Sequence, residues 1–359
     1  MKRTTTLTVN PDRPDPDLIA DAAAILVRGG LVAFPTETVY GLGAHALDPS
    51  AAARIFDAKE RPPTDPVIVH LAGAAQLETV ARDMPPLTAV LADAFWPGAL
   101  TLILWKQPSV PDIVTAGLPT VAVRIPAHPV AHALLARAGV PVAAPSANRF
   151  SRPSPTTADH VREDLDGRID VIVDGGPATI GVESTILDLT VTPPLVRRPG
   201  GVPLSALRAH VPDLQTREDR LGAHVVQPAP GQLLRHYAPR ASMTLYLGPA
   251  EDVSERVARE ARNAAATGAR VGILAPEEDL IGLAPRLAAM AASGRIAVIR
   301  YGTRRDDRAS ARDLFKALRE LDAGGVDLIL AVASEEGELS PAIVDRLSRA
   351  AEGRVVRVN

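Results

Sequence analysis

The sequence predicts an α/β protein of two domains, and three observations carry this. Short apolar runs of strand character alternate with helix-period stretches over residues 18–210. The alternation disappears over residues 211–240, then resumes as a strand–helix series. A length of 359 residues also suits two domains. The expected division is a first domain over 1–210, a linker over 211–240, and a second α/β domain over 241–359.

In chain order, residues 18–28 read as a helix stopped by Gly29-Gly30. Residues 31–34 form a short buried strand ending at Pro35. Asp48 is an N-cap with Pro49 in the first turn, and that helix runs to Lys59 before Pro62-Pro63 forbids continuation. Strands follow at 67–71, 100–105, 121–125, 140–144, 170–174 and 185–189, with helices at 87–95, 129–138 and 204–210. Residues 211–240 are rich in Pro, Gly and charge, which marks a linker. Strands at 243–247, 270–274, 297–300 and 327–332 then alternate with helices at 254–266, 281–292, 311–321 and 341–351. That order predicts a smaller domain with a mainly parallel sheet.

Composition narrows the function. A formal charge of -3 and 3% aromatics weigh against a generally basic nucleic-acid binder. The absence of cysteine excludes disulfides, thiolate nucleophiles and Cys-ligated metals. The eight histidines show no metal spacing. The N-terminus lacks an apolar signal region, and no apolar run reaches the ~18 residues of a membrane span, so a cytoplasmic protein is expected. The usual Gly-rich phosphate loop with its Lys is missing, as are H-E-x-x-H and G-x-S-x-G.

The loops after the strands carry the polar residues. In "AKERPPTDPVIVHL", Lys59 and Arg61 stand before a rigid proline pair, and only four of the 39 basic residues are lysines. Lys offers phosphate a compact charge and Arg a planar fork, yet the same pair also suits a helix C-terminus. "APSANRFSRPSP" crowds Ser146, Asn148, Arg149, Ser151, Arg152 and Ser154 together, as a ligand loop or as an ordinary turn. Arg124 in "VRIP" lies inside an apolar strand and needs a carboxylate, either the protein's own or a ligand's. "DGGPATIGVEST" reads as an anion nest or a hairpin. "PTETVYGLG" sets Thr36, Glu37, Thr38 and Tyr40 after a strand, for a small polar substrate or for their own turn. Cations, hydroxyls and an amide without an evident covalent nucleophile suit a reaction driven by positioning, such as adenylyl transfer.

"FPTETVYGLGAHALDPSAAARIFDAKERPPTDPVIVHL" resembles the YrdC-like threonylcarbamoyl-AMP synthase family. Its K-x-R signature is matched by Lys59-Glu60-Arg61 and its S-x-N signature by Ser146-Ala147-Asn148. "TVAVRIP", "DGGPATIGVESTILDL" and "RRPGG" are also similar, over about residues 15–205. "LLRHYAPRA" and "GELSPAIVDRLSRAA" resemble the linker and C-terminal domain of the longer form. The resemblance implies a YrdC-like twisted open sheet with helices and a ligand cleft in the first domain. It implies synthesis of threonylcarbamoyl-AMP and pyrophosphate from threonine, bicarbonate or CO2, and ATP, with Mg2+ carried by ATP. The product would serve N6-threonylcarbamoyladenosine formation in tRNA through separate tRNA threonylcarbamoyl transferase proteins, direct tRNA binding being left open and no membrane being involved.

Carried over residue by residue, the resemblance gives Lys59 and Arg61 the catalytic role of offsetting charge on the departing pyrophosphate. Thr38, His70, Arg124, the backbone at Ala144 and Ser184 would form the threonine pocket. Lys59, Arg61, Asp65, Thr120, Ser146, Asn148, Ser154, Arg198 and, from a closing linker, Tyr237 would hold ATP. The family often has Asn where this chain has Asp65, an acid that repels phosphate unless it faces magnesium, ribose or base. It often has Cys where this chain has Ala178, so no thiol takes part. An RNA-binding factor and carbamoyl transfer from carbamoyl phosphate are the alternative readings.

Overall fold

In the computed structural model, residues 3–216, 226–233, 235–291 and 294–358 are described. The chain falls into two compact units. The first comprises Met1–Phe150, Ser154–Thr179 and Glu183–Leu233; the second comprises Ser151–Pro153, Ile180–Val182 and Leu234–Asn359. Two tripeptides that interrupt the first unit's sequence therefore belong to the second unit. Of the expected linker over 211–240, residues 217–225 and 234 lie outside the described residues.

The first unit opens with strand β1 (Thr5–Thr8), helix α1 (Pro16–Val27) and strands β2 (Val32–Phe34) and β3 (Gly41–His45). Helix α2 (Pro49–Lys59), strand β4 (Val69–His70), a 3-10 turn (Ala74–Thr79) and strand β5 (Ala81–Arg82) follow. Then come α3 (Leu87–Phe95), β6 (Leu100–Lys106), α4 (Asp112–Thr115), β7 (Thr120–Arg124), α5 (Pro129–Ala138) and β8 (Val142–Ala143). The unit continues with α6 (Ala158–Leu165), β9 (Val171–Asp174), β10 (Thr185–Asp188), β11 (Leu195–Arg198), α7 (Leu204–Arg208) and β12 (Gln215–Thr216). Its mixed sheet runs β1-β9-β2-β3-β8-β4-β7-β6-β10-β11-β12, with β5 beside β6.

Local chemistry sets the helix boundaries. Asp15 accepts from the Asp17 and Leu18 amides to start α1, and Asp48 accepts from Ser50 and Ala51 to start α2. Both helices carry Pro in the first turn, where its missing N–H costs nothing. Helix α2 ends as Glu60 turns to φ 56°, which leaves Lys59 in the last helical turn. The apolar faces of α1 and α5 close one core against Val32, Phe34, Val142, Val171 and Val173 of the sheet.

The sequence places residues 34–43 in a loop at the end of β2, yet residues 41–45 form β3, antiparallel to β2. Glycine is required there by space: a Cβ on Gly43 would stand 2.9 Å from both the Phe34 ring and Val142. Strand β1 was also not anticipated. Its Thr-rich residues pair only with β9, at the sheet edge, and so lack a buried apolar face.

The second unit alternates β13 (Ser242–Leu247), α8 (Ala250–Ala266), β14 (Val271–Ala275), α9 (Glu277–Ala291) and β15 (Ile296–Arg300). It continues with α10 (Asp307–Ala323), β16 (Leu328–Val332), α11 (Ser340–Ala350) and β17 (Val355–Arg357). The sheet order is β15-β14-β16-β13-β17, parallel throughout. Val253, Val257, Ala261, Leu283 and Leu287 pack on Val271, Ile273, Leu330 and Val332 in its core. The expected end of α9 at residue 292 lies outside the described residues. Among the described residues no helix is long and apolar enough to cross a membrane.

Candidate active site

Two groups of buried polar residues meet the sheet of the first unit, and the strand register assembles the first of them. β4 and β7 run parallel with His70 opposite Arg124, both at strand ends. Arg124 donates from Nε to the Gly98 carbonyl at 3.0 Å and from Nη1 to Thr38 Oγ1 at 2.8 Å. Its Nη2 lies 2.6 Å from Glu37 Oε1. Thr36 Oγ1 donates to the Val39 carbonyl, so the 2.8 Å contact between the two hydroxyls is a bond from Thr38 to Thr36. The buried arginine thus has a protein carboxylate, one of the two partners its burial demanded.

His70 is fully enclosed. Its Nδ1 lies 3.3 Å from the Ile68 carbonyl, which can only accept, so Nδ1 carries the proton and Nε2 remains an acceptor. Burial, reinforced by the nearby Arg124 charge, pulls its pKa down to about 3, and the imidazole is neutral at physiological pH. Ala144 packs beside β4, its amide bonded to the Ile68 carbonyl. Ser184 Oγ lies 2.7 Å from Thr101 Oγ1 across β10 and β6.

The second group is cationic. Lys59 Nζ donates to the carbonyls of Ser146 and Asn148, so the K-x-R and S-x-N segments are joined directly. Arg61 donates from Nε to the Asp65 carbonyl and from Nη2 to the Pro66 carbonyl, and Nη2 lies 2.9 Å from Asp65 Oδ2. Burial pushes the Asp65 carboxyl up, opposed by Arg61, the Gly231 amide, Lys59 and Arg198. Arg198 donates to the Ser184 carbonyl from Nε and Nη2, and from Nη1 to the Pro230 carbonyl. Ser154 Oγ donates to Glu183 Oε1 at 2.5 Å.

Residues 226–233 lie across this group. The Gln227 amide bonds to the Thr64 carbonyl, and Ala229 is buried among Ile68, Ile103, Ala122 and Ile186. Gln232 donates to the Arg197 carbonyl. Composition marked this stretch as linker and gave no sign that it packs on the sheet. Thr120 begins β7, so four residues place it about 13 Å along the strand from Arg124. Tyr237 belongs to the second unit, buried beside His236, Phe315 and Arg346. Glu37 is the site residue that sequence reasoning noticed without placing. Its signal was an acid between two threonines after a buried strand, in a chain with a buried arginine to match.

The first unit therefore presents a buried polar cluster built on one guanidinium, beside a cation cluster suited to phosphate oxygens. A mixed twisted sheet carrying these groups, with a second unit built on a parallel sheet, defines a class of two-domain proteins of the YrdC type. A family model described as "Telomere recombination" matches residues 24–200, and one described as "Threonylcarbamoyl-AMP synthase, C-terminal domain" matches residues 202–352. Threonylcarbamoyl-AMP synthase of Pyrococcus abyssi is 43% identical over 341 residues, which span 94% of this chain and 95% of that protein. The Bacillus subtilis protein of the same name is 42% identical, covering 94% of each chain. The crystal structure of Pyrococcus abyssi Sua5 complexed with L-threonine superposes with a TM-score of 0.90 at 41% identity, over 99% of this chain and 100% of that one. The chain belongs to the threonylcarbamoyl-AMP synthase family, in its two-domain form.

Proposed function

We propose that this chain is an enzyme, a nucleotidyltransferase that makes L-threonylcarbamoyl-AMP and pyrophosphate from threonine, bicarbonate or CO2, and ATP. One observation carries the reading: its likeness along nearly the whole chain to a relative whose structure holds L-threonine. The threonine ammonium would first give a proton to solvent, and the resulting amine would add to CO2 and lose a second proton, giving a carbamate. A carbamate oxygen would then attack the α-phosphorus of ATP, and the bond to the β-phosphate oxygen would break, releasing pyrophosphate.

Arg124 would take the threonine carboxylate, with Thr38, His70, Ser184 and the Ala144 backbone around the rest of the molecule. Lys59, Arg61 and Arg198 would take the phosphates in exchange for the carbonyl oxygens they now hold. That exchange stabilises negative charge building on the leaving group. Ser146, Asn148, Ser154 and Thr120 would complete the nucleotide site. Asp65 Oδ2 lies 2.9 Å from Arg61 Nη2, so Asp65 would hold that side chain for the nucleotide. Residues 226–233 pack beside Asp65 and Arg198 and would have to yield at Arg198 for it to take a phosphate.

Mg2+ prefers phosphate and water oxygens with one or two carboxylates. Among the described residues no group of three or more His, Cys, Asp or Glu is placed to hold a metal ion. Asp65 faces Arg61, and Glu183 accepts from Ser154. An ion that arrives on the nucleotide would neutralise part of its charge. The product would pass to tRNA threonylcarbamoyl transferase proteins in the cytoplasm.

The test is pyrophosphate release from ATP and magnesium, with threonine and bicarbonate omitted in turn. Release that needs both, with a threonylcarbamoyl adenylate seen by mass spectrometry, is expected. Release without either would mean plain ATP hydrolysis. No release from folded protein would transfer the weight to RNA binding or to carbamoyl transfer from carbamoyl phosphate.

A further inference from the structure

Glu37 has no task in the chemistry just described, and its setting is costly. It is 7% exposed, between two threonines whose hydroxyls are both engaged. Its Oε1 stands 2.6 Å from Arg124 Nη2 but without hydrogen-bond alignment. Its Oε2 is shielded from solvent and has no hydrogen-bond partner among the described residues. Buried polar atoms are nearly always hydrogen-bonded, and a carboxylate oxygen is an acceptor only. The atom that completes this one must be a donor, and a positive one offsets burial best.

Arg124 narrows what that donor is. Its Nε and Nη1 are fixed by Gly98 and Thr38, and the remaining Nη2 shares its space with Glu37. An anion arriving at Nη2 therefore lies beside Glu37. An α-amino acid carries its carboxylate and its amino group on the same carbon. If the first meets Arg124, the second falls within reach of a neighbouring acceptor.

We propose that Glu37 is a substrate-binding residue whose Oε2 accepts an N–H from the α-amino group of the amino acid, while Arg124 takes the carboxylate. The ion pair would then read the two charges of the zwitterion together. It would also fix the nitrogen that adds to CO2. The inference rests on the threonine site proposed above.

The experiment is calorimetry of L-threonine and of ATP on the full chain and on Glu37→Gln, with 3-hydroxybutyrate, which lacks the amino group, followed by ligand-observed NMR. Loss of one charge-assisted hydrogen bond weakens threonine binding roughly 10- to 100-fold in Glu37→Gln. ATP and 3-hydroxybutyrate should bind the variant as they bind the parent protein. Thermal unfolding checks that the variant is folded, and Glu37→Asp, which restores the charge on a shorter arm, should recover part of the threonine affinity. Equal weakening of threonine and 3-hydroxybutyrate would overturn the proposal, since Glu37 would then act only by holding Arg124. Unchanged threonine affinity would overturn it as well. Failure of the parent protein to bind threonine at all would instead overturn the proposed function.

Discussion

Replacing His70 by Asn gives the most quantitative check on the site. The imidazole pKa lies at about 3 in the folded chain, through burial first and Arg124 second, against about 6.5 when unfolded. Between those values the unfolded state binds more protons, so stability rises with pH there. His70's contribution is complete above the unfolded pKa and is lost as pH falls toward 3. Linkage makes the folded state about 2 kcal/mol less stable at about pH 5 than at about pH 8 from this residue alone. Asn keeps a donor for the Ile68 carbonyl but cannot titrate. Urea unfolding of both proteins at the two pH values measures the difference, since other titrating groups act equally in each. The variant should lose about 2 kcal/mol less than the parent on acidification. Identical pH slopes in the two proteins, or an NMR titration placing His70 near its ordinary value, would refute the reasoning.

Arg61→Ala should slow pyrophosphate release roughly 10- to 150-fold for each charge-assisted bond lost, and near-normal rates in folded variant would remove Arg61 from the phosphate site. Arg124→Ala should weaken threonine binding by calorimetry while sparing ATP; unchanged threonine affinity would withdraw the carboxylate assignment. In Gly200→Ala, the new Cβ would stand 2.3 Å from the Glu183 carbonyl oxygen and 2.4 Å from the Thr185 nitrogen. Overpacking against backbone should cost about 1–3 kcal/mol in denaturant melts, and wild-type stability would show that the 183–185 backbone yields freely.

Much of the architecture was legible because hydrophobic period reports burial. Helices α3 and α5 fall on the expected residues, and the second unit's strand–helix order led directly to a parallel sheet. What escaped was structure whose cause lies far along the chain. β3 is a strand through its pairing with β2 and β8, and Phe34 and Val142 there crowd any Cβ at position 43. β17 is three residues long, paired with β13 from over a hundred positions away. The motifs singled out Lys59, Arg61, Ser146 and Asn148 as candidates, but not that Lys59 bonds the Ser146 and Asn148 carbonyls. Arg124 announced its need for a carboxylate by sitting in an apolar strand. Glu37 as the answer required the pairing of β4 with β7 and the turn after β2, which no local pattern states.

The clip formed by Lys59 bears on the chain's composition. This protein writes nearly every positive charge as arginine, with only four lysines among 39 basic residues. Position 59 is one of the four. A buried ammonium donates to two backbone oxygens from one compact nitrogen, whereas a guanidinium presents its donors as a broad flat fork. An arginine at this position would have to serve the two carbonyls of a neighbouring loop with a differently shaped head. The rarest cation in the chain stands where charge alone is not enough.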